Sequence, residues 1–267
     1  MSCSSNSGTT LERIKREKVV RVGFANDIPF GHTTPEGKLT GEAPEIARKV
    51  LAKMGIHNIE GVLIEFGSLI PALKAGRFDM IAAGMFITPE RCREIAFSEP
   101  TYMIGQAFLV KSGNPKNLHS YVDVKNNPEV VLSVMEGAVE GEYARAVGIS
   151  DSRIMLVPDT LTGAAAVREG SSDVLALTSL SIQHLVDSLN DPGIERAEPF
   201  QDLIINGRAV RGYGAFGFRK EDVKFYNEFN EHLKEFIGGK EHLRIMKNFG
   251  FTKLPGKITA EDLCNGS

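Results

Sequence analysis

The residue best equipped for recognition chemistry in this chain is Arg91, in the run LIPALKAGRFDMIAAGMFITPERCREIAFSEP that covers residues 69–100. Thr88-Pro89-Glu90-Arg91 reads as a helix start, and Phe78–Ala82 just before it reads as a short buried strand. The residues between them form a glycine-containing loop that carries an exposed aromatic, Phe86. Further upstream, Leu69, Ile70, Ala72 and Leu73 mark the apolar face of a helix that Gly76 closes. A strand whose carboxyl end opens into a helix start gathers free backbone N–H groups and the positive end of the helix dipole, which suits a small anion. Arg91 adds a planar two-donor fork that matches a carboxylate.

Strands and helices alternate on both sides of this segment. The strand Val19–Phe24 leads to a helix over Pro44–Met54, and the strand Gly61–Glu65 leads to a helix over Leu69–Ala75. Asp79–Ala83 then leads to a helix over Thr88–Ile95, and Met103–Val110 is one long extended run. A second alternating series follows, with strands at Val130–Val134, Ile154–Val157 and Asp173–Thr178. Its helices fall at Glu140–Ala146, Thr160–Glu169 and Ser181–Leu189. Arg211–Phe218 is extended again, and two helices without strands of their own finish the chain. Alternation of this kind predicts an α/β fold with parallel-rich sheets. Two such units joined by two extended crossings predict two lobes hinged about a cleft, with residues 1–104 and 214–267 in the first and 105–213 in the second.

Composition narrows the function classes. The chain has 267 residues, 42% of them hydrophobic, which is enough for one large or two smaller cores. Net charge is −3 with no basic run, so nucleic acid and anionic membrane surfaces are excluded as partners. No apolar run reaches the roughly 18 residues that span a bilayer. The first ten residues, MSCSSNSGTT, lack the charged start and apolar middle of a signal peptide, so an exported protein would be represented here by its mature form. Cys3 reads as a tail cysteine rather than a lipidation site. The three cysteines have no metal spacing. They allow at most one disulfide, of Cys264 with Cys92 or Cys3, and a buried thiol at Cys92 is the favoured expectation.

The residues Gly76, Asp79, Ile81, Gly84, Met85, Thr88, Arg91, Phe97, Ser98, Pro100 and Tyr102 reproduce a specific pattern, GxxDxIxxGMxxTxeRxxxxxFSxPY. In this the chain resembles the extracytoplasmic solute-binding proteins of ABC transporters, polar amino acid family. VVRVGFANDIPFG, LTGEAPEIARKVLAKMG and the segments after Ala215 extend the resemblance over nearly the whole chain. It implies a type II periplasmic-binding-protein fold, a periplasmic monomer, a membrane permease as partner, and no cofactor or metal. It also implies that Arg91 grips a ligand carboxylate, helped by main chain at Phe86 and at the turn Gly137-Ala138-Val139.

Two departures from the family pattern bear on the ligand. The aspartate that members use for an α-ammonium, in the pattern GxxDAxxxD, is replaced by Thr178, which leaves an ordinary amino acid's ammonium without a partner. Phe86 stands where a small hydroxyl residue is usual. With Phe30 and Phe66 it would line the first-lobe face of the cleft and form an aromatic cage for a diffuse cation. Asp27 is either the cage's counter-charge or a loop-capping residue. The set Asp27, Phe30, Phe66, Phe86 and Arg91 resembles ectoine- and hydroxyectoine-binding members of the family from rhizobial uptake systems. It implies a small zwitterion such as ectoine or hydroxyectoine, with betaines and polar amino acids as alternatives.

Catalysis is not expected. The six histidines are scattered without ligand spacing, and no Gly-rich phosphate loop or G-x-S-x-G elbow occurs. Cyclohexadienyl dehydratases of the same fold are the alternative, but they act on a dicarboxylate, and Arg91 is the one cleft arginine the motif supplies.

Overall fold

A computed structural model describes residues 8–205 and 207–266. Cys3 lies outside the described residues. An amphipathic helix, Thr10–Glu17 (α1), opens the chain behind a Thr9 capping box and leads straight into Val19–Phe24 (β1). A small hairpin, His32–Thr33 (β2) with Leu39–Thr40 (β3), precedes Glu42–Lys53 (α2). Asn58–Leu63 (β4), Leu69–Lys74 (α3), Met80–Phe86 (β5), Pro89–Glu94 (α4), Ala96–Phe97 (β6) and Tyr102–Ile104 (β7) complete the first run.

The second run comprises Gln106–Lys111 (β8), Tyr121–Asn126 (α5), Leu132–Met135 (β9), Val139–Ala146 (α6), Ile154–Val157 (β10), Thr160–Glu169 (α7) and Val174–Thr178 (β11). Ser179–Leu189 (α8), Ile194–Arg196 (β12) and a short hairpin of Ile204–Ile205 (β13) with Arg208–Ala209 (β14) follow. Gly212–Phe218 (β15), Val223–Phe236 (α9), Lys240–Asn248 (α10) and Ala260–Cys264 (α11) end the chain.

The strands form two main sheets. One has the order β4-β1-β5-β15-β6, with β7 also paired to β15. β4, β1 and β5 run parallel, and β15 returns antiparallel beside β5. The other has the order β10-β9-β11-β8-β12, again parallel on one side and antiparallel at β8. β5 is buried at every position and β11 likewise, as parallel strands covered by helices on both faces must be. This is the mixed α/β, two-lobed architecture of type II periplasmic-binding proteins. The polypeptide passes from one sheet to the other between β7 and β8 and returns before β15.

The last helices pack on the first sheet. Phe225, Phe229, Leu233, Phe236 and Ile245 share a core with Val20, Val22, Met80 and Phe216. Each fully buried phenylalanine of this kind contributes about 1.5–3 kcal/mol.

Two sequence expectations are corrected. Phe86 is not an exposed loop residue: β5 runs on through Gly84 and Met85 to Phe86, whose side chain is buried. The strand is prolonged because β15 pairs with it as far as Gly214 opposite Phe86. Cys92 is not a free buried thiol: it forms a disulfide with Cys264, 172 residues away, with 5.6 Å between the Cα atoms. That bond pins α11, a third C-terminal helix beyond the two expected, to α4.

Candidate ligand-binding site

The carboxyl ends of β5 and β11 face each other across a small cavity. Asp27, Phe30, Phe66, Phe86 and Arg91 line it from the first lobe. Val139, Glu140 and Thr178 line it from the second. Gly137 joins the group through its carbonyl, which accepts a hydrogen bond from Arg91.

Arg91 sits in the first turn of α4, which Thr88 caps by accepting the Arg91 N–H at 3.2 Å. Its side chain is buried, with Nη1 donating to Phe86 O and Nη2 to Gly137 O, both at 2.8 Å. The guanidinium also lies over the Phe66 ring, 5.5 Å from its centroid. Two of its five N–H donors are thus committed to main-chain carbonyls, one in each lobe, which leaves three for a ligand. Burial lowers its pKa, opposed by the nearby Glu142 and Glu140 charges. Phe66 thus lines the cavity while presenting one face to Arg91.

Phe30 and Phe86 are seated on glycines. A Cβ on Gly84, whose φ of +63° also demands glycine, would lie 2.3 Å from the Phe30 ring. A Cβ on Gly212 would lie 2.0 Å from the Phe86 ring. Phe30 is held further by Tyr102 and Phe251, with ring centroids at 5.7 and 5.3 Å. Tyr102 in turn donates to Gly84 O at 2.9 Å.

Asp27 belongs to a tight turn after β1, in which its carbonyl accepts from the N–H groups of Phe30 and Gly31 at 2.9 and 3.0 Å. Its carboxylate points away from that turn and accepts the Ser181 hydroxyl from the second lobe at 2.9 Å. Burial pushes its pKa up to about 7, and the Ser181 bond opposes the rise. Thr178 caps α8 through the Ser181 N–H and donates to the Ser181 hydroxyl at 3.0 Å. The residue that stands in place of an acid therefore serves, through Ser181, the acid of the other lobe.

Two polar residues of the site escaped the sequence reading: Glu140, which lines the cavity, and Ser181, which reaches it through Asp27. Glu140, in the first turn of α6, is almost wholly buried, and burial pushes its pKa up to about 7. Its own backbone N–H, Arg91 and Gln106 oppose that rise, while Asp27 adds to it. Its signal was its place directly after the G-A-V turn. Ser181 had none, because its partner lies 154 residues away.

The chain is similar to known binding proteins along its length. It is 36% identical over 272 residues to a probable amino-acid ABC transporter periplasmic-binding protein, y4tE, of Sinorhizobium fredii, covering 99% of this chain and 89% of that one. It is 28% identical to the L-arginine-binding protein of Pseudomonas aeruginosa, over 82% of this chain and 76% of that one. The crystal structure of EhuB in complex with hydroxyectoine superposes with a TM-score of 0.88 at 33% identity, covering 97% of this chain and 98% of that one. An ancestral amino acid-binding protein described as a precursor of cyclohexadienyl dehydratase superposes with a TM-score of 0.77 at 26% identity, over 91% of this chain and all of that one. Residues 20–252 match the model of the bacterial extracellular solute-binding proteins, family 3, and the chain belongs to that family.

Proposed function

We propose that this protein binds a small zwitterion of the ectoine or hydroxyectoine type between its lobes and delivers it, as a periplasmic monomer, to the permease of an ABC importer. The observation that carries this reading is the pairing, in one cavity, of Arg91 with Phe30, Phe86 and Asp27. A pair of the remaining Arg91 N–H groups donates to the carboxylate, while the two rings and the Asp27 carboxylate receive a delocalised cation. The likeness to EhuB supports the same class. The hinge is read at residues 104–105 and 213–214, between segments 8–104 plus 214–266 and segment 105–213, and the lobes close on the ligand.

A polar amino acid is the second reading, favoured by the names of the curated relatives. It is weakened at Thr178, a hydroxyl at the family's usual position for the α-ammonium carboxylate, so that an ammonium would have to be met by Asp27 and Glu140 instead. A dehydratase acting on a dicarboxylate fits less well, because the cavity is lined by two carboxyls and one guanidinium. Binding rather than catalysis is therefore proposed.

Calorimetry against ectoine, hydroxyectoine, glycine betaine, arginine, glutamine and histidine tests the reading. Tight binding of ectoine or hydroxyectoine is expected. Tight binding of an amino acid with none of ectoine or hydroxyectoine overturns it.

A further inference from the structure

Two carboxyl groups face the same cavity from opposite lobes. Asp27 comes from the turn after β1 and Glu140 from the first turn of α6, and they are 8% and 3% exposed. Each accepts from a neutral side-chain donor of the second lobe, and Glu140 also from its own backbone N–H. Ser181 donates to Asp27 Oδ1 at 2.9 Å. The Gln106 amide donates to Glu140 Oε1 at 2.6 Å in the orientation that also lets it donate to Leu177 O at 2.9 Å. Among the described residues no lysine, arginine or histidine forms an ion pair with either carboxyl, and no hydrogen-bond donor meets Asp27 Oδ2. Arg91 is the one basic residue lining the cavity, and two of its donors go to main chain.

The cavity is thus short of donors. A ligand carboxylate takes up Arg91 and leaves both acids to be met by the rest of the ligand. Covering a buried carboxylate with methyl groups removes its water and returns no hydrogen bond, which is costly. Aromatic rings alone do not separate a methylated nitrogen from one bearing hydrogens, since both present a diffuse positive charge to a π face. The acids do separate them. An amidinium or secondary ammonium carries two N–H donors that diverge, one for each lobe.

We propose that Glu140 is a specificity-determining residue, which accepts an N–H from the bound cation and so restricts the cleft to cationic monocarboxylates that keep N–H donors, against those whose nitrogen is fully alkylated. The proposal rests on the zwitterion reading above and decides among the ligands it leaves open.

Proline and proline betaine make the sharpest pair, because they share ring and carboxylate and differ in two N–H donors. Dissociation constants for ectoine, hydroxyectoine, proline and proline betaine are measured by calorimetry on the parent and on Glu140→Gln, which keeps the size of the side chain. The parent is expected to bind the N–H ligands at least about tenfold more tightly than proline betaine. In Glu140→Gln the N–H ligands are expected to weaken by about ten- to hundredfold while proline betaine changes little, so the ratio narrows. A ratio unchanged in Glu140→Gln means exclusion by size and overturns the proposal. Equal loss for all four ligands means a structural role and also overturns it. If that variant does not fold, the parent ratio alone decides, and proline betaine bound as tightly as proline or ectoine overturns the proposal while the zwitterion reading stands. Binding of none of the four overturns that reading and the proposal with it.

Discussion

The Ser181 hydroxyl donates to Asp27 Oδ1 at 2.9 Å and accepts from Thr178 Oγ1 at 3.0 Å, so three polar residues link the end of β11 and the start of α8 to the turn that follows β1. The link crosses from one lobe to the other and is buried, and its two ends, Asp27 and Thr178, line the cavity. A hydrogen bond to a charged group contributes about 1.5–3 kcal/mol when both partners are desolvated.

Ser181→Ala removes the middle of that link. Ligand affinity is expected to fall by about tenfold, with the unliganded melting temperature changed little, because the cost falls on the closed form. Calorimetry and thermal melts on the same variant check this. Parental affinity would mean that closure does not depend on the Ser181 bond. Thr178→Asp should weaken a zwitterion as well, since it brings a third carboxyl into a cavity that already holds Asp27 and Glu140.

Phe86→Leu keeps much of the side-chain volume and removes the π face. A loss of about 0.5–2 kcal/mol in ligand binding is expected if the ring acts on a cation. Gly212→Ala provides an independent approach, since its methyl would meet the Phe86 ring at 2.0 Å and displace it. Both variants should bind less well. Near-parental binding by Phe86→Leu would reduce the ring to a space-filler.

Stability should fall as pH rises. Burial raises the pKa of Asp27 to about 7, of Glu42 to about 8 and of Glu140 to about 7. Above the ordinary carboxylate range, near 4, the unfolded chain releases these protons while the folded chain keeps them. The folded state then binds more protons, so unfolding becomes easier with each step in pH until about 8, where both states are ionised. The unliganded protein should therefore melt higher at pH 5 than at pH 8. Glu42 lies outside the cavity lining, and its Oε1 accepts from Thr101 at 2.9 Å. Glu42→Gln should flatten the slope without altering ligand choice. A melting temperature that climbs from pH 5 to pH 8 would contradict the assignment.

The Cys92–Cys264 bond closes a loop of 172 residues and holds α11 on α4, beside Arg91. Reduction, or Cys264→Ser, should cost about 2–4 kcal/mol in denaturant unfolding. An unfolding curve indifferent to reductant would show that the contact of α11 with α4 suffices alone.

Much of this was legible in the residues. The βα alternation located β1, β4, β5, β9, β10 and β11, and the spacing around Thr88 and Arg91 located the start of α4. These are local patterns, set by periodicity and capping. What failed depended on partners distant in sequence. Phe86 read as a loop residue because its environment is supplied by Gly212 and Gly214 of β15, on the far side of the second lobe's whole sequence. Cys92 read as a thiol for the same reason. Glu140 read as an ordinary helix residue, because acids in a first turn are common on surfaces and only the fold turns this one inward. The short elements α1, α5 and β12 were missed, their apolar repeats being too brief to stand out.

The seating of Phe30 on Gly84 and of Phe86 on Gly212 limits how this cleft can be remodelled by single steps. A larger residue at either glycine displaces the ring before any new wall exists, and a smaller residue at either phenylalanine opens a void against a bare backbone. Ring and glycine form one unit of two sites, and the only single changes that leave it intact lie elsewhere. Ligand choice in this protein is therefore most readily altered at the polar positions of the second lobe, Glu140, Thr178 and Ser181, where side chains can be exchanged without moving the aromatic wall. A directed search for altered binding should find its first gains there, and changes at the rings only in pairs.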